Sequence, residues 1–169
     1  MKAKARAPKP DQRINRGVTS LEEAQAWFAR QSIEEIVGVA LMRCEPLLGD
    51  LSVTTSVPEE LPLLRVDGLL LEQVFVNLLS NAAHAIEAGA KGPHHVRLGG
   101  VALGEGRVRV TVSDDGPGIP APDRARVLDR FVRLDASRSV AGTGLGLSLV
   151  ASIAKLHGAT FELADNEPG

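Results

Sequence analysis

The chain has 169 residues, 44% of them hydrophobic and 24% charged, a balance that suits one packed domain and excludes a disordered chain. A net charge of −2 gives no basic surface over the whole domain, which argues against nucleic acid as a partner. The lone cysteine, Cys44, excludes a disulfide scaffold and fits a reducing compartment.

Residues 1–31 read as a basic lead-in. Within the first 17 residues Lys2, Lys4, Arg6, Lys9, Arg13 and Arg16 stand against Asp11 alone, the pattern of a solvated tail, and no apolar core of a secretory signal follows them. Ser20 and Glu23 have capping-box spacing, which predicts a short helix over 20–31. The domain proper, 32–169, opens on Ser32 and Glu35 with the same spacing, followed by Ile33, Ile36, Val37, Ala40 and Leu41 at helical intervals. Leu51 to Val57 alternates as a strand ended by Pro58, and Leu63 to Val66 is a second short strand.

Asp67 caps the longest predicted helix, which runs to about Ala88 with Leu71, Val74, Phe75, Leu78, Leu79 and Ala82 along one face. Uninterrupted apolar runs fall short of the roughly 20 residues that span a bilayer, so the expected chain is soluble and cytoplasmic. Val96–Leu103 and Arg107–Ser113 alternate in period two and form a hairpin through Gly104-Glu105-Gly106. A stretch rich in Gly, Pro, Asp and Arg runs from Asp114 to Thr143, a loop length that often carries function. A helix from Leu145 to His157 ends at Gly158, and Ala159–Leu163 is the last predicted strand. This order predicts an α+β fold: a two-layer α/β sandwich whose mixed sheet is covered on one face by helices.

Three strings carry chemistry. Asn77 and Asn81, four apart on the long helix, share a face, and a carboxamide oxygen is a hard ligand of the kind Mg²⁺ accepts. Alone, the pair also reads as the solvated side of an amphipathic helix. Asp114-Asp115-Gly116-Pro117-Gly118 follows a strand; it is either an ordinary turn or a carboxylate placed to accept from an exocyclic amine such as that of adenine. Gly142-Thr143-Gly144-Leu145-Gly146-Leu147 opens a helix, where free N–H groups and the dipole suit phosphate. No G-x-x-x-x-G-K-[ST] string occurs, and the glycine string does not follow the strand of a βαβ unit, so neither a P-loop nor a dinucleotide fold is expected.

In this order the strings resemble the ATP-binding catalytic domain of bacterial sensor histidine kinases, in the superfamily of gyrase, the heat-shock chaperone and the mismatch-repair ATPases. Asn77 to Asn81 is similar to the N box, Asp114 to Gly118 to the first glycine box, Leu128 to Arg133 to the F box and Gly142 to Leu147 to the second glycine box. The segment Val66 to Val74 is most similar to potassium-sensing kinases, and the region after Arg124 to other sensor kinases.

The resemblance implies the Bergerat-type ATP-binding fold with ATP and Mg²⁺ as cofactors. Asn81 would hold the metal with Asn77 assisting; Asp114 would bind the adenine amine beside Gly116, Gly118 and Ile119. Gly142, Thr143, Gly144, Leu145, Gly146 and Leu147 would surround the phosphates. Residues 119–141 would form an ATP lid anchored by Phe131, with Arg133 or Arg138 neutralising γ-phosphate charge and His84 as a phosphate contact.

It also implies a phosphoacceptor histidine domain and, through it, a response regulator as partners, a parent that can be membrane-bound, and one further edge strand beyond Gly169.

The superfamily's hydrolases carry a glutamate where this chain has Asn77, and an amide cannot act as that base. Donation of the γ-phosphate to another nucleophile is therefore expected over hydrolysis. None of His84, His94, His95 and His157 has the sequence context of a phosphoacceptor. His94 and His95 read as surface residues or a weak metal pair, and His157 as a helix cap. A stand-alone ATPase, a serine or anti-sigma kinase, and a non-catalytic nucleotide-sensing module remain open alternatives on the sequence.

Overall fold

The structure, a computed structural model, describes residues 20–26, 28–87, 94–133 and 143–166. Two serine caps set its opening. The Ser20 hydroxyl accepts the Glu23 N–H at 3.1 Å and starts α1 (Leu21–Gln25). The helix expected over 20–31 ends there, because Ala29–Gln31 extends as β1 and pairs antiparallel with Leu64–Val66. Long-range pairing overrides the local helical signal. Ser32 then caps α2 (Ile33–Leu48) by accepting the Glu35 N–H at 3.3 Å, and Ile33, Ile36, Val37, Ala40, Cys44 and Leu48 turn inward.

β2 (Ser52–Ser56) and β3 (Leu64–Val66) follow. The Asp67 carboxylate then accepts the N–H groups of Leu69 and Leu70 at 3.1 and 3.2 Å, which caps α3 (Gly68–Glu87). β4 (His95–Gly104) and β5 (Arg107–Asp114) form the hairpin. Its tip is tighter than expected: Gly104 pairs with Arg107, leaving Glu105 and Gly106 as a two-residue turn with φ of 53° and 70°. Short 3₁₀ turns at Ala121–Asp123 and Arg126–Leu128 precede α4 (Gly146–Leu156), which Gly158 terminates at φ 66°.

The main sheet has the order β2-β4-β5, parallel between β2 and β4 and antiparallel between β4 and β5, the expected mixed type. α2 and α3 cover one face. Val96 and Leu98 of β4 meet Ala40, Phe75, Leu79 and Ala83 there, while Arg97 and Val101 face outward. A second cluster of Val74, Val150 and Ile153 joins α3 to α4, with Phe161 packed on it. No strand occurs among the described residues 159–166. The alternation from Ala159 to Leu163 reflects burial of Phe161 against the helices, not pairing in a ladder.

α3 also corrects the reading of the membrane signal. By length and composition it is apolar enough to cross a bilayer, although Glu72, Gln73, Asn77, Ser80 and Asn81 interrupt its apolar runs. It serves as the core helix, with Val74, Phe75, Leu79, Ala82, Ala83 and Ile86 buried and the Glu72 carboxylate paired with Arg43 of α2.

Leu79 has no exposed surface and Leu69 is 72% exposed. Leu79→Ala is expected to cost about 2–5 kcal/mol in urea unfolding, and Leu69→Ala less than about 0.5 kcal/mol. Equal losses would contradict this assignment of the core.

Candidate functional site

The site begins on the side of α3 that the core does not use. Asn77 donates through Nδ2 to the Gln73 carbonyl at 2.8 Å, which fixes the carboxamide and leaves Oδ1 toward α4. A Cβ added at Gly146 would lie 3.2 Å from that oxygen and 3.6 Å from both polar atoms of the Asn81 carboxamide. The two asparagines therefore meet the first turn of α4 across a glycine. That turn has no side-chain cap: Leu145 occupies the N-cap position and contributes no hydrogen bond from its side chain. Its N–H groups and the positive end of the helix dipole thus face the carboxamides uncommitted to a capping side chain.

The loop before α4 is held from the other side. Phe131 donates its N–H to the Gly144 carbonyl at 2.9 Å. Gly144 has φ 69°, and a Cβ there would lie 2.9 Å from Phe131 C and Val132 O, so both conformation and space demand glycine. Phe131 adopts φ 65° itself and the residue is 73% exposed. What ties Phe131 to the loop before α4 is thus a backbone hydrogen bond.

At the other end of the same stripe stands Asp114, the last residue of β5. Its Oδ1 accepts the Gly116 N–H at 2.9 Å. A Cβ on Gly116 would lie 2.6 Å from that oxygen and 2.9 Å from the Ala85 methyl, so the first glycine loop is pressed onto α3. Asn77, Asn81 and Ala85 follow one another at four-residue intervals, placing the two loops on one helical stripe about 12 Å long. Burial pushes the Asp114 carboxyl above its ordinary value; the Gly116 N–H opposes this and the neighbouring Asp115 charge adds to it. Asn166 donates to the Asp114 carbonyl at 3.1 Å, closing the loop from the C-terminal side.

Asp115 points the other way. Its Oδ2 accepts the His95 N–H at 3.0 Å and lies 3.0 Å from His95 Nδ1, and its Oδ1 lies 3.4 Å from Arg97. The His95 side chain is the main cause of a lowered Asp115 value. His95 is thus a partner of Asp115, and among the described residues no group of three His, Cys, Asp or Glu side chains can hold a metal. Arg124 donates through Nε to the Ile119 carbonyl at 3.0 Å and pairs with Asp165, fixing the chain after Gly118. Gly118 has φ 70° with open space around it, so its backbone conformation is what requires glycine.

The structure therefore brings Asn77, Asn81, Gly144, Leu145 and Gly146 together, and Asp114, Gly116, Gly118 and Ile119 into one loop. His84 is half-buried one turn beyond Asn81 on α3; Thr143 is exposed, and Arg133 and Leu147 are half-buried. Gly142 and Arg138 lie outside the described residues. Ala85, Asp115, Arg124 and Asn166 escaped sequence reasoning. Only Ala85 had a legible signal, as the next four-residue step after Asn77 and Asn81.

Comparison with known proteins points the same way. Residues 66–169 match the family described as histidine kinase-, DNA gyrase B-, and HSP90-like ATPase. Sensor protein KdpD of Escherichia coli (strain K12) is 38% identical over 138 residues, which is 81% of this chain and 14% of that protein. The adaptive-response sensory kinase SasA of Thermosynechococcus vestitus is 39% identical over 116 residues, 69% of this chain and 29% of its own length. The chain thus spans less than a third of either relative. Among solved structures, the mycobacterial sensor histidine kinase MprB superposes with a TM-score of 0.68 at 28% identity, covering 77% of this chain and 82% of that one. Full-length ShkA in complex with AMPPNP gives 0.65 at 29% identity, covering 78% and 27%.

The raised Asp114 value has a consequence for stability. A carboxyl held up in the folded state supports folding only while protonated, and that support is lost as pH rises through its folded value. Asp114→Asn keeps an oxygen for the Gly116 N–H without the charge. Its thermal midpoint at pH 7 should exceed that of the parent, with the gain shrinking as pH is lowered toward about 4. A lower midpoint at pH 7 would show that the ionised carboxylate stabilises the loop.

Proposed function

The chain belongs to the histidine kinase-, DNA gyrase B- and HSP90-like ATPase family, and we propose that it is the Mg-ATP-binding catalytic domain of a two-component sensor histidine kinase. The observation that carries this reading is the contact of Gly146 with Asn77 and Asn81, which sets two hard oxygens beside the N-terminus of a helix. Phosphates and a divalent cation need those two features side by side.

The residue roles are those that the family resemblance implies. Asp114 accepts the adenine amine, and Gly116, Gly118 and Ile119 border the base. Gly142, Thr143, Gly144, Leu145, Gly146 and Leu147 carry the phosphates, with N–H groups of the first turn of α4 directed at them. The donor set fits Mg²⁺: Asn81, assisted by Asn77, offers one or two neutral oxygens and leaves the remaining positions to phosphate and water. When bound, the ion supplies charge neutralisation. Arg133, Arg138 and His84 are the further groups for phosphate charge. Asn77 cannot take a proton from water, so the site positions the γ-phosphate for a histidine supplied by a segment outside these 169 residues. That histidine would then serve a response regulator.

Two measurements test this. Calorimetry with ATP should show that Mg²⁺ strengthens binding to the parent chain, and that Asn81→Ala loses about tenfold or more of affinity only when Mg²⁺ is present. Equal affinities with and without the substitution would remove Asn81 from the site. With labelled ATP and a phosphoacceptor hairpin from a sensor kinase, acid-labile phosphohistidine should appear on the hairpin. Rapid phosphate release without the hairpin would instead identify a hydrolase.

A further inference from the structure

His157 closes α4 at the end away from Gly146, and its ring joins three separate parts of the fold. Nε2 accepts the Asp67 N–H at 3.0 Å, and Nδ1 lies 2.8 Å from the Ile153 carbonyl. A backbone amide only donates and a carbonyl only accepts, so the ring is the neutral imidazole with its proton on Nδ1. Phe28 stacks on it with centroids 4.4 Å apart and planes within 6°. Next to it the Gln25 amide donates to the Leu156 carbonyl at 2.8 Å. The end of α4 is therefore gripped by the turn that starts α3 and by the segment that enters the domain through α1 and β1.

α4 runs antiparallel to α3. Gly146 rests against Asn77 and Asn81 near the middle of α3, and His157 rests against Asp67 at its start. Between these ends the contact is apolar, through Val74, Val150 and Ile153, and apolar contact resists sliding only weakly. The directional bond at His157 sets how far along α3 the helix lies. A shift there moves the N–H groups of the first turn of α4 relative to the Asn77 and Asn81 oxygens.

We propose that His157 is a positioning residue: its bond to Asp67 fixes α4 against α3, and its stack on Phe28 ties that placement to the entering segment 20–31. The inference rests on the Mg-ATP reading only for its effect on affinity. Loss of the Nε2 acceptor would leave the Asp67 N–H without this bond and release the helix. Gln25, Phe28 and Arg65 line the hollow beside the ring. The Asp67 carboxylate is already engaged with the N–H groups of Leu69 and Leu70.

The test uses the whole chain with His157→Gln, which keeps an acceptor oxygen but loses the stack, and His157→Phe, which keeps the stack but loses the acceptor. In the nucleotide-free protein, amide exchange at residues 146–149, corrected for its intrinsic pH dependence, should be about fivefold faster in the Phe variant than in the parent at pH about 8. Affinity for Mg²⁺ with a non-hydrolysable ATP analogue should fall in the Phe variant as well. Exchange in a folded Phe variant equal to the parent's would overturn the proposal. Should that variant not fold, exchange at residues 146–149 in His157→Ala, which loses both the acceptor and the stack, equal to the parent's would overturn it. The predicted exchange pattern without any analogue binding would leave His157 in place and refute the Mg-ATP reading instead.

Discussion

At Gly146 the backbone of α4 comes so close to Asn77 and Asn81 that a methyl group would stand 3.2 Å from the Asn77 oxygen. The rest of the site follows from that approach. Two helices can meet so closely, with carboxamides on one and an uncapped N-terminus on the other, only if no side chain intervenes. The carboxamides, half-buried at Asn77 and exposed at Asn81, are held in place because α3 is the core helix of the fold. The apolar face fixes the helix, and the polar stripe inherits its rigidity. Gly144 extends the same constraint to the preceding loop, where its contact with Phe131 and Val132 leaves no room for a Cβ.

Much of this was legible in the residues. Ser32 and Asp67 mark the helix starts by their own hydrogen bonds, and the asparagine spacing gave the shared face directly. What was not legible depended on partners distant in sequence. The helical signal after Ser20 gave way to β1 because Leu64–Val66 offered a ladder, and no local pattern reports that. The strand expected at 159–163 failed for the converse reason, since alternation records burial of Phe161 as readily as pairing. Asp114 and Asp115 are adjacent and chemically alike, yet one turns toward α3 and the other is claimed by His95. Only the fold separates their roles.

The electrostatics show the usual conflict between a site and its scaffold. Burial disfavours the charge on Asp114, while acceptance of an exocyclic amine needs the carboxylate near a ligand and away from water. Asp115, exposed and paired, lies on the stabilising side. The sequence's departure from the hydrolase pattern also acquires a structural sense. Asn77 is anchored to Gln73 and presents an acceptor, and a carboxamide cannot take a proton as that base would.

In the proposed site one stripe of α3 would carry both ends of a nucleotide, with the metal and phosphates at Asn77 and Asn81 and the adenine at Asp114. A crystal structure of the protein grown with Mg²⁺ and a non-hydrolysable ATP analogue tests it most directly. The account predicts the metal on the Asn81 amide oxygen, phosphate oxygens at the first turn of α4, and the adenine amine within hydrogen-bond distance of the Asp114 carboxylate. An analogue seated instead in the groove lined by Gln31, Glu35, Val39 and Gly68, with the asparagines uncontacted, would contradict it.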